Sequence, residues 1–425
     1  MFHSPSAILR VSLLVLASAA ALGQETRLSQ REGKALVEEY LALDARGAED
    51  RERCDEILTR LEAHGELSAR EAARWRKTVL TLAAKGPRLE EDRGEHFLWE
   101  DEQRGMYIVD GETRRPKGLF IGLHGGSDGS GEARWCQRSF SDAVAREDWL
   151  AIYPQVLERV SVGWTKSGTE EFVMELVERA LRTWKIDRDR VFLGGHSMGG
   201  FGTWSLGSHH ADRFAALAVS CGAPTSAWSS SSDPGDEVDG MIPNLRNLPI
   251  VFYHGADDRR VAPDASRRAA GRMAAARERW GAFDFEYWEE AGRGHSGPPG
   301  GMGALLKRIA DREREARPQR LVWQPALDWK RQFYWLWSDR PGSPGLVEAE
   351  LDQENGILRI DSDVPTGLRV LLDDDLLDLE GGLTLILNGG EPRTVLPLRN
   401  LAVIVRTGRG GDDALTFEAA VVVSP

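Results

Sequence analysis

From Gly118 to Arg314, short apolar runs alternate with segments of helical periodicity, and this alternation limits the fold more than any other feature of the chain. The runs are Gly118 to Leu123, Leu150 to Tyr153, Arg190 to Leu193, Phe214 to Ser220 and Leu248 to Tyr253, followed by a strand over Phe283 to Trp288. Helical stretches fall between and after them: Phe172 to Trp184, a segment after Ser197, Asp264 to Trp280 and Met302 to Arg314. A strand that is apolar at every position is covered on both faces, and an intervening helix returns the chain to the same end of the sheet. The pattern therefore predicts a mostly parallel sheet with helices on both faces, preceded by two shorter strands, His96 to Trp99 and Met106 to Val109.

The flanks differ in character. Leu28 to Ala84 carries apolar residues at helical spacing, among them Trp75, Val79 and Leu82, and Ser68 to Glu71 matches a capping box. Gly86-Pro87 ends that lead-in. Beyond Pro318 the periodicity becomes β-like, with runs at Ile357 to Ile360, Leu368 to Leu372, Leu383 to Leu387, Leu401 to Val405 and Leu415 to Val423, separated by glycine-rich turns. The expected organisation is a helical segment over 24–87, a catalytic α/β domain over 88–317 and a sandwich-like all-β accessory domain over 318–425.

The first 23 residues read as a cleaved export signal, with Arg10 ahead of the apolar run Val11 to Leu22. This run of twelve apolar and small residues (11–22) is too short to span a bilayer, which takes about 20. A secreted or periplasmic location without a membrane span is expected. Three widely spaced cysteines, Cys54, Cys136 and Cys221, suit neither a disulfide framework nor a C-x-x-C metal site. The net charge of −13 disfavours nucleic acid as a partner. No motif calls for a metal or a cofactor, and the acidic stretch from Glu348 to Glu380 lacks the ligand spacing of a calcium loop, so it reads as a solvated sheet face.

Gly195-His196-Ser197-Met198-Gly199 fits G-x-S-x-G, and the apolar strand before it and the helix after it supply the context of a nucleophile elbow. A serine hydroxyl attacks only when an imidazole takes its proton and a carboxylate orients that imidazole. The strand Leu248 to Tyr253 ends in Asp257-Asp258, where Asp258 is the expected acid and Asp257 the second choice; Asp264 reads as the cap of the next helix. Of nine histidines only His295 follows Asp258, so His295 is the expected base. The oxyanion requires two N–H donors, assigned to Met198 and to Gly126 in His124-Gly125-Gly126-Ser127, with Ser127 the alternative. His124 reads as a loop anchor, His196 as a packing neighbour, and His209 and His210 as surface residues. Trp135, Trp164 and Trp228 are candidates to line a substrate cleft, whereas Trp323, Trp329, Trp335 and Trp337 suit packing at the junction better than sugar binding.

His124-Gly125-Gly126, Gly195 to Trp204, His254 to Asp258 and Gly294-His295 together resemble the α/β-hydrolase superfamily, nearest to its secreted esterase and predicted-peptidase branch around feruloyl esterases, polyhydroxybutyrate depolymerases and dienelactone hydrolases. The resemblance covers roughly residues 90 to 316. It implies an ester substrate, small or borne on a polymer, and it matches Ser197, Asp258 and His295 to nucleophile, acid and base. A peptidase or acyltransferase on the same residues, and a non-catalytic binding protein on this scaffold, are the competing readings. Fold alone cannot separate the first two classes.

Overall fold

The computed structural model describes residues 27–44, 48–98, 104–126, 132–157, 163–165, 168–225, 241–342 and 345–423. The expected export signal, Ser127 and Trp228 lie outside these residues. The described chain forms two compact units.

The larger unit holds residues 87–370, 383–395 and those from 422. Eight strands make its main sheet: β1 (Gly94–Phe97), β2 (Arg104–Gly111), β3 (Leu119–Leu123), β4 (Leu150–Val156), β5 (Val191–His196), β6 (Ala216–Ser220), β7 (Ile250–Gly255) and β8 (Phe285–Glu290). Their order is β1-β2-β4-β3-β5-β6-β7-β8. The strands from β3 to β8 run parallel, while β2 is antiparallel to both β1 and β4. β5 lies at the centre, with Leu119–Leu123 of β3 opposite Val191–Gly195. β3, β4, β6 and β7 are buried along their whole length, as the uninterrupted apolar runs require.

Two faces need covering. Cys136, Phe140, Ala143 and Val144 of one helix (Ala133–Arg146) and Leu305, Leu306 and Ile309 of another (Gly303–Ile309) share a core with Phe120, Tyr153, Phe192, Ala218 and Tyr253 of the strands. The helix after β5 (Met198–His209) is buried at all its residues. Its glycines allow that approach, since a Cβ on Gly199 would stand 2.0 Å from the Leu123 carbonyl oxygen and one on Gly202 would stand 2.5 Å from the Trp164 side chain. Asp264 is the first residue of its helix (Asp264–Trp280) and pairs with Arg267; it makes no capping hydrogen bond, so the expected cap is not formed.

Residues after Pro318 do not begin a separate unit. The strands Arg320–Trp323, Val347–Asp352, Ile357–Ser362, Leu383–Leu387 and Arg393–Val395 build a five-stranded sheet within the larger unit, and Gln332–Phe333, Leu336–Ser338 and Leu368–Leu372 pair beside it. The expected boundary at 317/318 fails because the following segment fastens to the α/β layer through buried polar groups. Lys330 Nζ donates to Asp212 at 2.9 Å, and the Tyr334 hydroxyl donates to the Ala211 carbonyl at 2.8 Å. Trp323, Trp335 and Trp337 are buried, which suits packing and excludes an exposed sugar platform there. Glu348, in the acidic stretch read as a solvated face, pairs with Arg279 and Arg320.

The smaller unit comprises residues 27–86, 371–382 and 396–421. Three helices, Gln30–Ala42, Ala48–Glu62 and Ala69–Ala83, pack with a fourth, Leu401–Gly408, through Leu36, Val37, Ile57, Leu61, Trp75, Val79, Leu401, Ile404 and Val405. The capping box at Ser68 is formed, with Ser68 N–H donating to Glu71 at 3.0 Å and Glu71 N–H donating to Ser68 Oγ at 3.3 Å. Leu401 to Val405, expected as a strand, is helical. A five-residue apolar run carries no periodicity of its own, and the Asn400 side chain that caps the helix by accepting from Ala402 N–H decides the outcome. The region beyond 318 is therefore not all-β. Arg76 bridges Asp373 and Asp413, and Arg399 bridges Asp374 and Glu380, so part of the acidic stretch is neutralised inside this unit.

Among the described residues no helix is long and apolar enough to cross a membrane.

Candidate active site

Ser197 sits between the end of β5 and the first residue of the following helix, with φ 58° and ψ −120°. That conformation is costly for a residue with a side chain, and the flanking glycines make it possible. A Cβ on Gly195 would stand 2.4 Å from the Gly199 carbonyl oxygen, so neither position admits a side chain. The sharp turn lifts the Ser197 hydroxyl above the carboxyl end of the sheet.

Two further strand ends bring the partners. His295 Nε2 lies 2.8 Å from Ser197 Oγ, and His295 Nδ1 lies 2.7 Å from Asp258 Oδ2. Serine, imidazole and carboxylate thus form one continuous hydrogen-bonded line, in which Nδ1–H donates to the carboxylate and Nε2 faces the hydroxyl. Asp258 Oδ1 accepts from the backbone N–H groups of Arg260 and Val261 at 2.9 and 3.0 Å. His254, fully buried four residues earlier on β7, places Nε2 3.3 Å from Asp258 Oδ2 and 2.9 Å from the Val261 carbonyl. Burial would push the Asp258 carboxyl up, but hydrogen bonds from His254, His295 and Val261 outweigh it and hold the group well below the carboxylate range. Asp257, the second choice, is exposed, and its own N–H is committed to the Arg293 carbonyl.

The sequence reading missed the support from His254. Its i,i+4 spacing to Asp258 was visible, but only the turn after β7 brings the pair within reach.

Four further histidines have structural surroundings. His124 donates from Nδ1 to the Gly125 carbonyl at 2.8 Å, while its Nε2 accepts from Val156 N–H at 3.1 Å, which fixes the loop ahead of Gly126. His196 lies with its ring 4.9 Å from that of His295, and burial together with the neighbouring imidazole lowers its pKa to about 3, so it stays neutral. His209 and His210 are not surface residues. They are buried against Glu170, with His209 Nδ1 2.9 Å from the carboxylate. Glu170 was not singled out, because a glutamate beside Glu171 in the first turn of an amphipathic helix gives no sign of burial.

A cleft of about 340 Å³ opens at Ser197, lined by Leu123, Gly125, Gly126, Phe140, His196, His295 and others. Gly126 therefore borders Ser197, and Met198 follows Ser197 directly, its N–H the first of the helix and without an acceptor within it. Trp135 lines the cleft and is exposed. Trp164 does not line it. Its ring is fully buried and Nε1 donates to the His124 carbonyl at 2.9 Å, so it braces the loop from behind.

Cys221, Asp258 and His295 form the one trio of metal-ligand type among the described residues, their ligand atoms lying within 4.8 Å of one another. Two of the three belong to the hydrogen-bonded line, and burial pushes the Cys221 thiol up to about 12, which leaves it protonated. The donor set suits proton relay better than a cation. Cys54, Cys136 and Cys221 are all buried free thiols.

No family profile matches the chain. A stretch of 142 residues is 28% identical to a bifunctional acetylxylan esterase/xylanase of Neocallimastix patriciarum, covering 33% of this chain and 19% of that protein. A thermostable esterase superposes over 53% of this chain and 64% of its own length, with 19% identity and TM-score 0.39. S-formylglutathione hydrolase of Agrobacterium tumefaciens superposes over 51% of this chain and 93% of its own, with 13% identity and TM-score 0.38. The chain thus spans about one fifth of the curated relative and under two thirds of the first esterase structure.

Proposed function

We propose that this chain, an α/β-hydrolase by its strand order and elbow, is an exported serine hydrolase that cleaves carboxylic esters through an acyl-enzyme. One observation carries the reading: Ser197 Oγ, His295 and Asp258 stand in hydrogen-bond contact at 2.8 and 2.7 Å, at the mouth of a cleft.

The chemistry follows from the positions. His295 Nε2 takes the proton as Ser197 Oγ adds to the ester carbonyl, and Asp258 stabilises the imidazolium that forms. The N–H groups of Met198 and Gly126 are the candidate donors to the tetrahedral oxyanion, and the positive end of the Met198–His209 helix adds to them. The imidazolium returns the proton to the departing alcohol, leaving acyl-Ser197. Water, deprotonated by the same His295 nitrogen, releases the acid and restores the hydroxyl. His196 stays neutral beside the imidazolium and so adds no second positive charge.

The ester preference is supported by the relative named as a bifunctional acetylxylan esterase/xylanase. By the same support, an acyl group carried on a polysaccharide is a candidate substrate. A panel of chromogenic esters and peptide anilides, run on the wild type and Ser197→Ala, tests the reading. The expected result is ester turnover that Ser197→Ala abolishes. Turnover confined to the anilides would make the chain a peptidase, and ester turnover retained by Ser197→Ala would remove Ser197 from the mechanism.

A further inference from the structure

Among the described residues, Trp135 is the one tryptophan that stands with the exposed large hydrophobic residues, at 57% exposure. It occupies the first turn of the helix Ala133–Arg146 and lines the cleft at Ser197. The Arg138 guanidinium lies over its ring, 4.6 Å from the centroid. Arg138 is one turn further along, so the contact holds the indole in one orientation and covers one face. Even with Arg138 over the ring, more than half of the residue's surface stays exposed. Indole surface left in water is unfavourable, and its place at the lip of the cleft points to a ligand that covers it.

We infer that Trp135 is a stacking platform for a pyranose ring on the alcohol side of the ester, a substrate class that rests on the ester hydrolase reading above. A flat aryl group would bury best in the interior of the cleft, against Leu123, Cys136, Phe140 and Met302. Trp135 lies at the wet lip. A pyranose suits that place because its C–H face packs on the indole while its hydroxyl edge stays in water or meets Ser139 and Arg260, which also line the cleft.

The experiment compares three acetates: mono-O-acetylated methyl glucopyranoside, ethyl acetate and 2-naphthyl acetate. Each is assayed on the full chain as wild type, Trp135→Ala and Trp135→Phe. In Trp135→Ala the ratio of kcat/KM for the sugar acetate to that for ethyl acetate should fall about tenfold, carried by KM, while Trp135→Phe keeps most of the ratio. An unchanged ratio in Trp135→Ala overturns the platform. So does a fall confined to the naphthyl ester, which would make the site an aryl pocket, or a wild type that turns over ethyl acetate and rejects the sugar acetate. A wild type that turns over the chromogenic esters but none of these acetates overturns the platform, and one inactive on every ester of that panel overturns the ester reading itself, and the platform with it.

Discussion

At the level of single residues, the three side chains that stand in one hydrogen-bonded line were legible because each falls just past the end of a strand, and because only one histidine follows Asp258. The proposed roles give each of them a distinct expected cost. Ser197→Ala or His295→Ala should lower kcat by roughly 10⁴ to 10⁶ with the fold intact. Asp258→Asn should cost about 10⁴ by leaving the imidazole in the wrong tautomer, whereas exposed Asp257→Asn should cost less than about threefold. Steady-state kinetics on the four variants check this, and reversed magnitudes would move the acid to Asp257. What the sequence could not reveal was the environment of each polar group. Trp164 was a cleft candidate because it sits on a loop near the nucleophile, but its indole N–H is committed to the His124 carbonyl. His209 and His210 looked exposed because they end a helix, yet Asp212 and Lys330 close over that end.

The buried histidines also set the response to acid. Burial lowers His210 to about 4, with Glu170, Asp212 and Lys330 around it, and lowers His196 to about 3. The unfolded chain binds a proton at each near pH 6.5 and the folded chain does not, so folding stability is full above that pH and falls as pH drops towards 4. The carboxylates Glu170, Asp212 and Asp258 are held low in the folded state, and their contribution fades below about pH 4. Thermal unfolding followed from pH 8 to 4 should show Tm falling from about pH 6.5, with a steeper loss below 4. A flat Tm down to pH 4.5 would contradict the burial of these imidazoles.

At the level of elements, glycine-for-alanine exchanges separate close packing from propensity. Gly199→Ala places a methyl 2.0 Å from the Leu123 carbonyl oxygen, between β3 and the elbow helix. Gly271, on the helix Asp264–Trp280, has nothing within 4 Å of the same atom. Gly199→Ala should destabilise by about 3 kcal/mol or more, and Gly271→Ala should be neutral or stabilise by up to about 1 kcal/mol. Denaturant unfolding of the two variants decides this. The strands β3 to β7 were readable because each holds an apolar run between turn residues, and β8 because its aromatic residues Phe285, Tyr287 and Trp288 are β-formers that follow a helix and a turn. Leu401 to Val405 was misread for the same reason, since an apolar run buried on all sides looks alike in a strand and in a short packed helix.

For the molecule as a whole, the division at Pro318 was drawn where the periodicity changes, but periodicity reports local structure and not where contacts cease. Lys330 and Tyr334 supply buried partners to Asp212 and Ala211, so a chain ending near residue 320 would leave Asp212 without its hydrogen-bonded cation, with only Arg213 at 3.9 Å. Removing one member of a buried ion pair costs about 3 to 5 kcal/mol. The truncated chain should therefore aggregate or unfold, and Lys330→Ala alone should lower the Tm of the full chain by several degrees. A soluble truncated chain with a sharp thermal transition would restore the boundary at 318.

The central claim is that Ser197 is the nucleophile, and intact-mass measurement after treatment with a fluorophosphonate tests it most directly. Wild-type protein should gain one phosphonyl group, mapped to Ser197, with complete loss of ester turnover, and Ser197→Ala should gain none. A stoichiometric adduct on Ser197→Ala, or a wild type that stays unlabelled while turning over ester, would contradict the account.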